Sequence, residues 1–307
     1  MKHLYLTALL GLLVACAPNA AKETPASPSQ TLDITTEVTT SQADVLTITR
    51  HGNPDGQTLV FIPGLASSAS VWEDTVAAFI DNDIRLVQVG GFAGAAAFEP
   101  EGSYSDTITR ALLDHLNANP GNDTILVGHS MGGFVSLKAA IEAQDKLDSI
   151  VIVDSLPYLA GLFMPGASPE QAKASGPMMA KQMVAMPRAL FDAQQARGLA
   201  QMTKTQSAIP QLTAWGEASD QATVATIMGE LMASDLRPIL AALQRPVHVI
   251  MAYDTAMPVT EAQLTSLYTD QYAAAGDVTL HTIKDSFHFV QWDQADAFQA
   301  TLRTILE

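Results

Sequence analysis

A serine between two glycines, in Gly128-His129-Ser130-Met131-Gly132, is the first feature of this sequence that could do chemistry. A serine hydroxyl is a weak nucleophile until a base takes its proton, so the motif needs a partner elsewhere in the chain. Glycines two positions before and after the serine permit a tight strand-to-helix turn, where a β-carbon would clash. A serine with only a structural role at such a turn would show the same pattern, so the motif alone leaves both interpretations open.

The base is sought among seven histidines, and His288 is the best placed of them. It lies in the loop between the last predicted strand and the last predicted helix, at the carboxyl edge of a parallel sheet, where ligands usually bind. His129 adjoins the serine, but consecutive side chains diverge at a tight turn, which favours a structural role for it. We therefore predict that His288 is the base for Ser130.

A carboxylate is also needed, because it holds the histidine in one tautomer and stabilises its protonated form. Asp254 ends the predicted strand PVHVIMAYD, one strand before His288. The order Ser130, Asp254, His288 is the one expected for an α/β fold of alternating strands and helices, which the rest of the chain predicts. Asp154 ends the predicted strand next to the nucleophile. We thus predict Asp254 as the acid and keep Asp154 as the reserve candidate.

Strands and helices alternate along most of the chain. TLVFIPG is a continuous apolar run, and TILV within DTILVGHS is another, which is typical of strands buried on both faces. SDTITRALLDHLNANPG has clear helix start and stop signals. The alternation predicts an α/β fold, with a mostly parallel central sheet covered by helices. Residues 155–244 lack a convincing strand and contain several helical patterns. They predict a helical cap inserted into a core of residues 31–154 and 245–307.

Five segments in this order resemble the α/β-hydrolase superfamily, in its capped, esterase-like branch: FIPGLASSASVW, VGGFAG, GHSMGG, AYDTAMP and DSFHFVQWDQADAF. The resemblance implies the α/β-hydrolase fold, and it implies that the backbone amides of Leu65 and Met131 bind an oxyanion. Two places depart from the family pattern. Pro63 stands where the family usually has histidine before glycine, and the acid loop at 252–254 is one residue shorter than the frequent Gly-x-x-Asp.

The reaction implied by this resemblance is acyl transfer to Ser130 followed by hydrolysis, with a small or medium hydrophobic carboxylic ester as the substrate. We expect no metal and no cofactor, because no metal-binding or phosphate-binding motif is found. Lactones, amides, thioesters, cofactor-free peroxidation and a purely binding role are alternatives on the same scaffold. A haloalkane dehalogenase is disfavoured, because it would carry aspartate at the nucleophile position.

Methionines are frequent in the predicted cap, and they bear on substrate choice. Their flexible side chains could line an adaptable acyl pocket, or they could pack the cap helices onto the body. The candidates for such a pocket are Met164, Met178, Met179, Met183 and Met186.

The chain is acidic, with 32 acidic against 16 basic residues and a formal charge of -16, which disfavours nucleic acid as a partner. Residues 1–15 are typical of a secretion signal, because their apolar run is too short to span a membrane. The segment Leu13-Val14-Ala15-Cys16 looks like the lipobox of bacterial lipoproteins, in which the cysteine is lipidated. An ordinary signal peptide cleaved near Ala17 is the alternative.

Residues 16–30 contain three prolines and few apolar side chains, so they predict a flexible tether. Cys16 is the only cysteine of the chain, and acylation would remove a thiol that could form no internal disulfide. The resemblance to lipoproteins implies a hydrolase anchored in the bacterial cell envelope, at the outer membrane or the periplasmic face.

Overall fold

The structure is a computed structural model that describes residues 37–41, 45–164 and 166–307. The predicted signal peptide, the lipidation candidate Cys16 and the predicted tether lie outside the described residues. Within those ranges, no helix combines the length and the hydropathy that crossing a membrane would require.

In the part of the chain that the structure describes, eight strands form one sheet in the order β1-β2-β4-β3-β5-β6-β7-β8. The pairs β1–β2 and β2–β4 are antiparallel, and all other neighbours are parallel. The prediction of a mostly parallel sheet is therefore confirmed. The strands are β1 (Glu37–Ser41), β2 (Leu46–Gly52), β3 (Gln57–Ile62), β4 (Asp83–Val89), β5 (Asn122–His129), β6 (Ser149–Val153), β7 (Val247–Tyr253) and β8 (Val278–Lys284).

Helices follow most of the strands and cover both faces of the sheet. Short 3-10 turns lie at Ala69–Trp72, Gln144–Lys146, Gln206–Ala208 and Arg237–Ala242. The α-helices are α1 (Glu73–Ala78), α2 (Tyr104–Ala118), α3 (Met131–Glu142), α4 (Ala160–Phe163), α5 (Pro169–Val184), α6 (Arg188–Leu199), α7 (Ile209–Ala218), α8 (Gln221–Ala233), α9 (Glu261–Tyr272), α10 (Val290–Asp293) and α11 (Ala295–Leu306).

Two hydrophobic clusters flank the sheet, which explains why its central strands are apolar on both faces. On one face, Leu112 of α2 and Phe134 of α3 are buried against the strands. On the other face, the Trp72 ring lies 5.1 Å from the Phe61 ring and 6.0 Å from the Phe298 ring of α11, measured between centroids. Packed side chains therefore cover both faces of the sheet whose strand ends carry the loops.

The segment between β6 and β7 contains only helices and 3-10 turns in its described residues, as the sequence predicts for residues 155–244. Helices α5 and α8 approach so closely that a β-carbon on Gly176 would lie 2.3 Å from the Gly229 carbonyl oxygen. The Glu230 carboxylate of α8 accepts the Tyr104 and Ser105 amides, each at 2.8 Å, at the start of α2. A helix N-terminus favours such a negative charge. The separation of this segment as a cap domain stays a prediction.

The parallel strands β5, β6, β7 and β8 end at one edge of the sheet. Ser130, Asp154 and Asp254 each directly follow one of these strands, and His288 lies in the loop after the last one. This edge is where ligands bind in open α/β sheets. The fold therefore brings the four candidate catalytic residues to the same side of the molecule.

Candidate active site

Ser130 occupies a strained turn between β5 and α3. Its backbone has φ 54° and ψ -118°, a conformation that residues other than glycine rarely adopt. Its amide donates to the Val153 carbonyl oxygen at 2.9 Å, which ties the turn to the end of β6. Strain of this kind persists only where the surroundings enforce it, and it is frequent at functional sites.

The glycines around Ser130 are required by close backbone contacts. A β-carbon on Gly128 would lie 2.3 Å from the Gly132 carbonyl oxygen, and one on Gly132 would lie 2.3 Å from the Ile62 carbonyl oxygen. A β-carbon on Gly64 would lie 3.3 Å from the Ser130 β-carbon. The loop after β3, which contains the predicted oxyanion donor Leu65, therefore lies directly beside the serine.

Met131, the second predicted oxyanion donor, is the first residue of α3. The first amides of a helix have no intrahelical partner, so such an amide can bind a negatively charged group. The Met131 side chain is buried, and the partly buried Leu65 packs against the same core cluster. Met131 thus directly follows Ser130, and Leu65 directly follows Gly64, which closely approaches the serine.

His288 is held by Asp154. Its Nδ1 lies 2.7 Å from the Asp154 Oδ2 atom, and because a carboxylate only accepts, the Nδ1–H donates. In the neutral ring this arrangement leaves Nε2 as an acceptor, the form that a general base needs. The sequence prediction that His288 belongs to the site is consistent with this geometry.

Asp154 is a well-supported acceptor. Its Oδ1 accepts the Tyr268 hydroxyl at 2.9 Å and the Ala252 amide at 3.1 Å, while its Oδ2 accepts from His288. Burial opposes ionisation, but the hydrogen bonds from His288, Ala252 and Tyr268 and the charge of His288 outweigh it, so the pKa of Asp154 lies below its usual value. Its backbone φ of 45° is another strained position at this edge.

The prediction that Asp254 partners His288 is wrong in this structure. The Asp254 Oδ2 atom accepts from the Lys204 ammonium group at 2.5 Å, and its Oδ1 atom accepts the Ala256 amide at 2.7 Å. The hydrogen bond from Lys204, together with that from Ala256, lowers the pKa of Asp254. Its carboxylate is therefore committed to an ion pair, and the reserve candidate Asp154 takes the place beside the histidine.

His129 supports the site without serving as its base. Its Nε2–H donates to the His288 carbonyl oxygen at 2.9 Å, and the two imidazole rings are 4.5 Å apart between centroids. Burial, with a smaller effect of the His288 charge, lowers the pKa of His129 to about 3. A ring that stays neutral near pH 7 adds no charge beside the His288 imidazole, which agrees with the structural role that the sequence favours.

The His288 loop is fastened to the helical segment through Asp293. The Asp293 Oδ2 atom accepts the Phe287 amide at 2.9 Å. Its Oδ1 atom accepts the Thr203 hydroxyl at 2.6 Å, the Lys204 amide at 2.9 Å, and the Thr205 amide and hydroxyl, each at 3.0 Å.

On the other side of the histidine, the Phe289 amide donates to the Met202 carbonyl oxygen at 3.0 Å. The backbone on both sides of His288 is therefore held to residues 202–205, through Asp293 on one side and directly on the other. Neither contact could be read from the sequence, because the partners are about 90 positions apart.

The methionines that the sequence offers as pocket candidates fall into different environments. Met183 and Met186 are partly buried against the core cluster that contains Met131. Met164 and Met179 instead pack against a separate cluster, and Met178 is 65% exposed. Only the first two adjoin the cluster that reaches the serine turn.

A family model for alpha/beta hydrolases matches residues 59–301. The chain belongs to this family. A protein of Variovorax paradoxus named for carbamate hydrolysis, RutD, is 27% identical over 266 residues, which cover 83% of this chain and 94% of the relative.

Two solved structures share the fold of this alpha/beta hydrolase. MenH from S. aureus superposes with a TM-score of 0.70 at 18% identity, over 85% of this chain and 97% of that one. The enol-lactonase from Burkholderia xenovorans LB400 superposes with a TM-score of 0.68 at 17% identity, over 88% of this chain and 99% of that one. At these identities the likeness shows the fold alone.

Sequence patterns did not indicate the roles of three polar residues in this hydrolase fold. Tyr268 and Asp293 hold Asp154 and the His288 loop, and Lys204 binds Asp254. Each acts through a contact that joins distant parts of the chain. Tyr268 lies on α9, where its spacing is that of any buried helix residue. For the acid, the only signal in the sequence was that Asp154, like Asp254, directly follows a strand, which kept it as a candidate.

Proposed function

We propose that this protein is a serine hydrolase that cleaves small or medium hydrophobic carboxylic esters. The observation that carries the proposal is the bond from His288 Nδ1 to Asp154 at 2.7 Å, at the sheet edge that also holds the strained Ser130 turn. A nucleophile, a base and a carboxylate that orients the base are the three groups that acyl transfer requires.

In the proposed reaction, the Ser130 hydroxyl oxygen attacks the ester carbonyl carbon while His288 Nε2 takes its proton. The oxyanion is stabilised by the amides of Leu65 and Met131, and removing one such donor costs about 3 kcal/mol in the barrier. The intermediate collapses, and the departing alcohol receives the proton from His288. Water then attacks the acyl-serine with His288 again as the base, which releases the acid and restores the hydroxyl of Ser130.

Several features support an apolar acyl group. The side chains of Leu65, Met183 and Met186 are partly buried against the cluster that contains Met131. The relative from Variovorax paradoxus is named for carbamate hydrolysis. Attack on a carbonyl carbon is common to carbamate and ester hydrolysis, so the nature of the leaving group decides between them.

The test is hydrolysis of p-nitrophenyl esters of increasing acyl chain length, with lactone and anilide substrates beside them. Ser130→Ala should abolish turnover and prevent labelling by a fluorophosphonate probe, while circular dichroism stays unchanged. Full activity of Ser130→Ala would refute the serine mechanism. Faster turnover of a lactone or an anilide than of every ester would retain the mechanism and overturn the ester assignment.

We also propose that Cys16 carries lipid and anchors the hydrolase in the bacterial envelope. The lipobox-like segment before Cys16 and the proline-containing tether after it support this proposal. Each buried methylene contributes about 0.8 kcal/mol, so two or more acyl chains hold a protein stably. Fractionation of cells that express wild type and Cys16→Ser tests it: wild type should stay with membranes after a high-salt wash, and wild type in the soluble fraction would contradict the anchor.

A further inference from the structure

Helix α9 holds the chain that follows β6 through three polar side chains. The Tyr268 hydroxyl donates to the Asp154 Oδ1 atom at 2.9 Å. The Gln271 amide group bonds both the amide and the carbonyl of Tyr158, at 3.1 and 3.0 Å. The Tyr272 hydroxyl donates to the Ser155 carbonyl oxygen at 2.8 Å. Of these contacts, only that of Tyr268 reaches the carboxylate that holds His288.

We propose that Tyr268 is a positioning residue that orients the Asp154 carboxylate and moderates its negative charge toward His288. The inference rests on the proposed function, because it concerns the same serine, histidine and carboxylate. It adds a fourth side chain to that site, supplied by a helix that neither the serine motif nor the histidine loop contains.

The orienting role follows from the geometry of Asp154. Without the Tyr268 hydroxyl, Oδ1 would keep only the Ala252 amide at 3.1 Å, so the carboxylate would stay bonded to His288 through Oδ2 but would be held less firmly in its orientation. Water is poorly placed to replace the hydroxyl, because Tyr268 is only 5% exposed. A carboxylate held on both oxygens keeps Oδ2 aimed at Nδ1 of the histidine throughout the reaction.

The charge role follows from the groups that face the pair. Asp154 faces His288, Tyr268 and the Ala252 amide, with Tyr272 nearby on the same helix, and the His288 ring faces that of His129. Burial and the charge of Asp154 raise the pKa of Tyr268 well above its usual value, so its hydroxyl remains a donor. Burial keeps the pKa of His129 at about 3, so His129 does not titrate near neutral pH.

A donor on Oδ1 withdraws negative charge from the carboxylate. Removal of this donor leaves more charge facing the His288 imidazolium and stabilises its protonated form. The base then loses its proton at higher pH, so the acid limb of kcat/KM moves upward. A tyrosine that only filled space would leave that limb in place.

The experiment compares Tyr268→Phe with the matched control Tyr272→Phe, each a loss of one buried hydroxyl on the same helix. For Tyr268→Phe we expect the acid limb to rise by roughly 0.5 pH unit, and kcat on the plateau to fall about threefold to tenfold with little change in KM. For Tyr272→Phe we expect the acid limb of the wild type. Circular dichroism verifies that both variants fold.

A limb that stays in place or moves to lower pH in folded Tyr268→Phe would overturn the inference. If that variant does not fold, 3-fluorotyrosine at position 268 provides a stronger donor of nearly the same shape, and the limb should then move to lower pH. Ser130→Ala distinguishes a failure of the proposed function from a failure of the proposed role of Tyr268. Activity in that variant refutes the proposed function, whereas its inactivity together with an unmoved limb in Tyr268→Phe refutes only the role of Tyr268.

Discussion

Lys204 and Asp254 form an ion pair with 2.5 Å between Nζ and Oδ2, and this pair joins the helical segment to the loop after β7. One strand away, Asp154 contacts His288 at 2.7 Å. Two aspartates at neighbouring strand ends thus each have one basic partner. Because its partner is a histidine, Asp154 can orient a catalytic base. Because its partner is a lysine of the helical segment, Asp254 ties that segment to the core.

Asp154→Asn should lower kcat by about 10³-fold to 10⁴-fold, because an amide no longer fixes the histidine tautomer or stabilises the imidazolium. The measurement is steady-state hydrolysis of the best p-nitrophenyl ester near pH 8. KM should change far less than kcat, since the substitution acts on the base rather than on the acyl pocket.

Asp254→Asn is the matched control for this prediction, because it makes the same chemical change one strand away. We expect kcat to fall less than about tenfold, since the amide oxygen can still accept from Lys204 and the base is untouched. A severe loss in Asp254→Asn together with a mild loss in Asp154→Asn would reverse the assignment.

Gly132→Ala should damage both the fold and the site. The added β-carbon would lie 2.3 Å from the Ile62 carbonyl oxygen and 2.7 Å from that of Pro63, so the loop that carries Leu65 must move away from Ser130. We expect a loss of about 1–3 kcal/mol in the free energy of unfolding, and a fall in kcat of about 100-fold, the effect of one displaced oxyanion donor. Urea unfolding and ester hydrolysis measure the two effects.

Gly198→Ala is the control for the glycine substitution. Gly198 lies near the end of α6 with nothing within 4 Å of the added β-carbon. The change should therefore raise the free energy of unfolding by about 0.4–1 kcal/mol and leave kcat unaltered. Equal stability and activity in both alanine variants would show that the close approach at Gly132 is not needed.

Asp293→Asn tests the contact between the His288 loop and residues 202–205. An amide has one acceptor oxygen, so it can serve either the Phe287 amide or the group formed by Thr203, Lys204 and Thr205, but not both. The unpaired side should loosen the histidine loop. We expect kcat and the rate of fluorophosphonate labelling to fall together, by about tenfold, the cost of roughly one lost hydrogen bond.

The control is Asp285→Asn, in the same loop. Asp285 has an exposed side chain and a φ of 56°, which asparagine tolerates. Activity within about twofold of the wild type is expected, because exposed charges contribute little. An equal loss in both variants would mean that loop charge, rather than the Asp293 contacts, controls the site.

The serine turn and His288 could be predicted from the sequence because their signals are local. Glycines at fixed spacing around Ser130 indicate a tight turn that has no room for β-carbons. A histidine between the last strand and the last helix must lie at the carboxyl edge of a parallel sheet. The order of strands and helices predicted the sheet for the same reason, since each apolar run is buried by its own neighbours.

The acid could not be predicted, because both candidates end a strand at the same edge and look alike in sequence. What separates them is long-range: Lys204, 50 positions earlier, binds Asp254, while Tyr268, 114 positions later, supports Asp154. The shortened loop at 252–254 was a departure from the family pattern at this position.

His115 should make the stability of the fold depend on pH. It is buried on α2, and burial, with a smaller effect of the Arg85 charge, lowers its pKa to about 4 from an ordinary 6.5. Below pH 6.5 the unfolded chain therefore binds a proton at His115, whereas the folded chain binds it only near pH 4, so protons favour the unfolded state. The free energy of unfolding therefore decreases through His115 as the pH falls from 6.5 toward 4, and this loss is absent well above pH 6.5.

Urea unfolding between pH 8 and pH 5 measures this effect. His115→Gln removes the titrating group, so its free energy of unfolding should fall by about 1–2 kcal/mol less over this range than that of the wild type. Asn119→Ala is the control, because it removes the neighbouring amide at 3.3 Å from the imidazole yet leaves the histidine to titrate. A pH slope in His115→Gln as steep as that of Asn119→Ala would assign the acid sensitivity to other groups, foremost the ion-paired carboxylates, whose titration begins at lower pH.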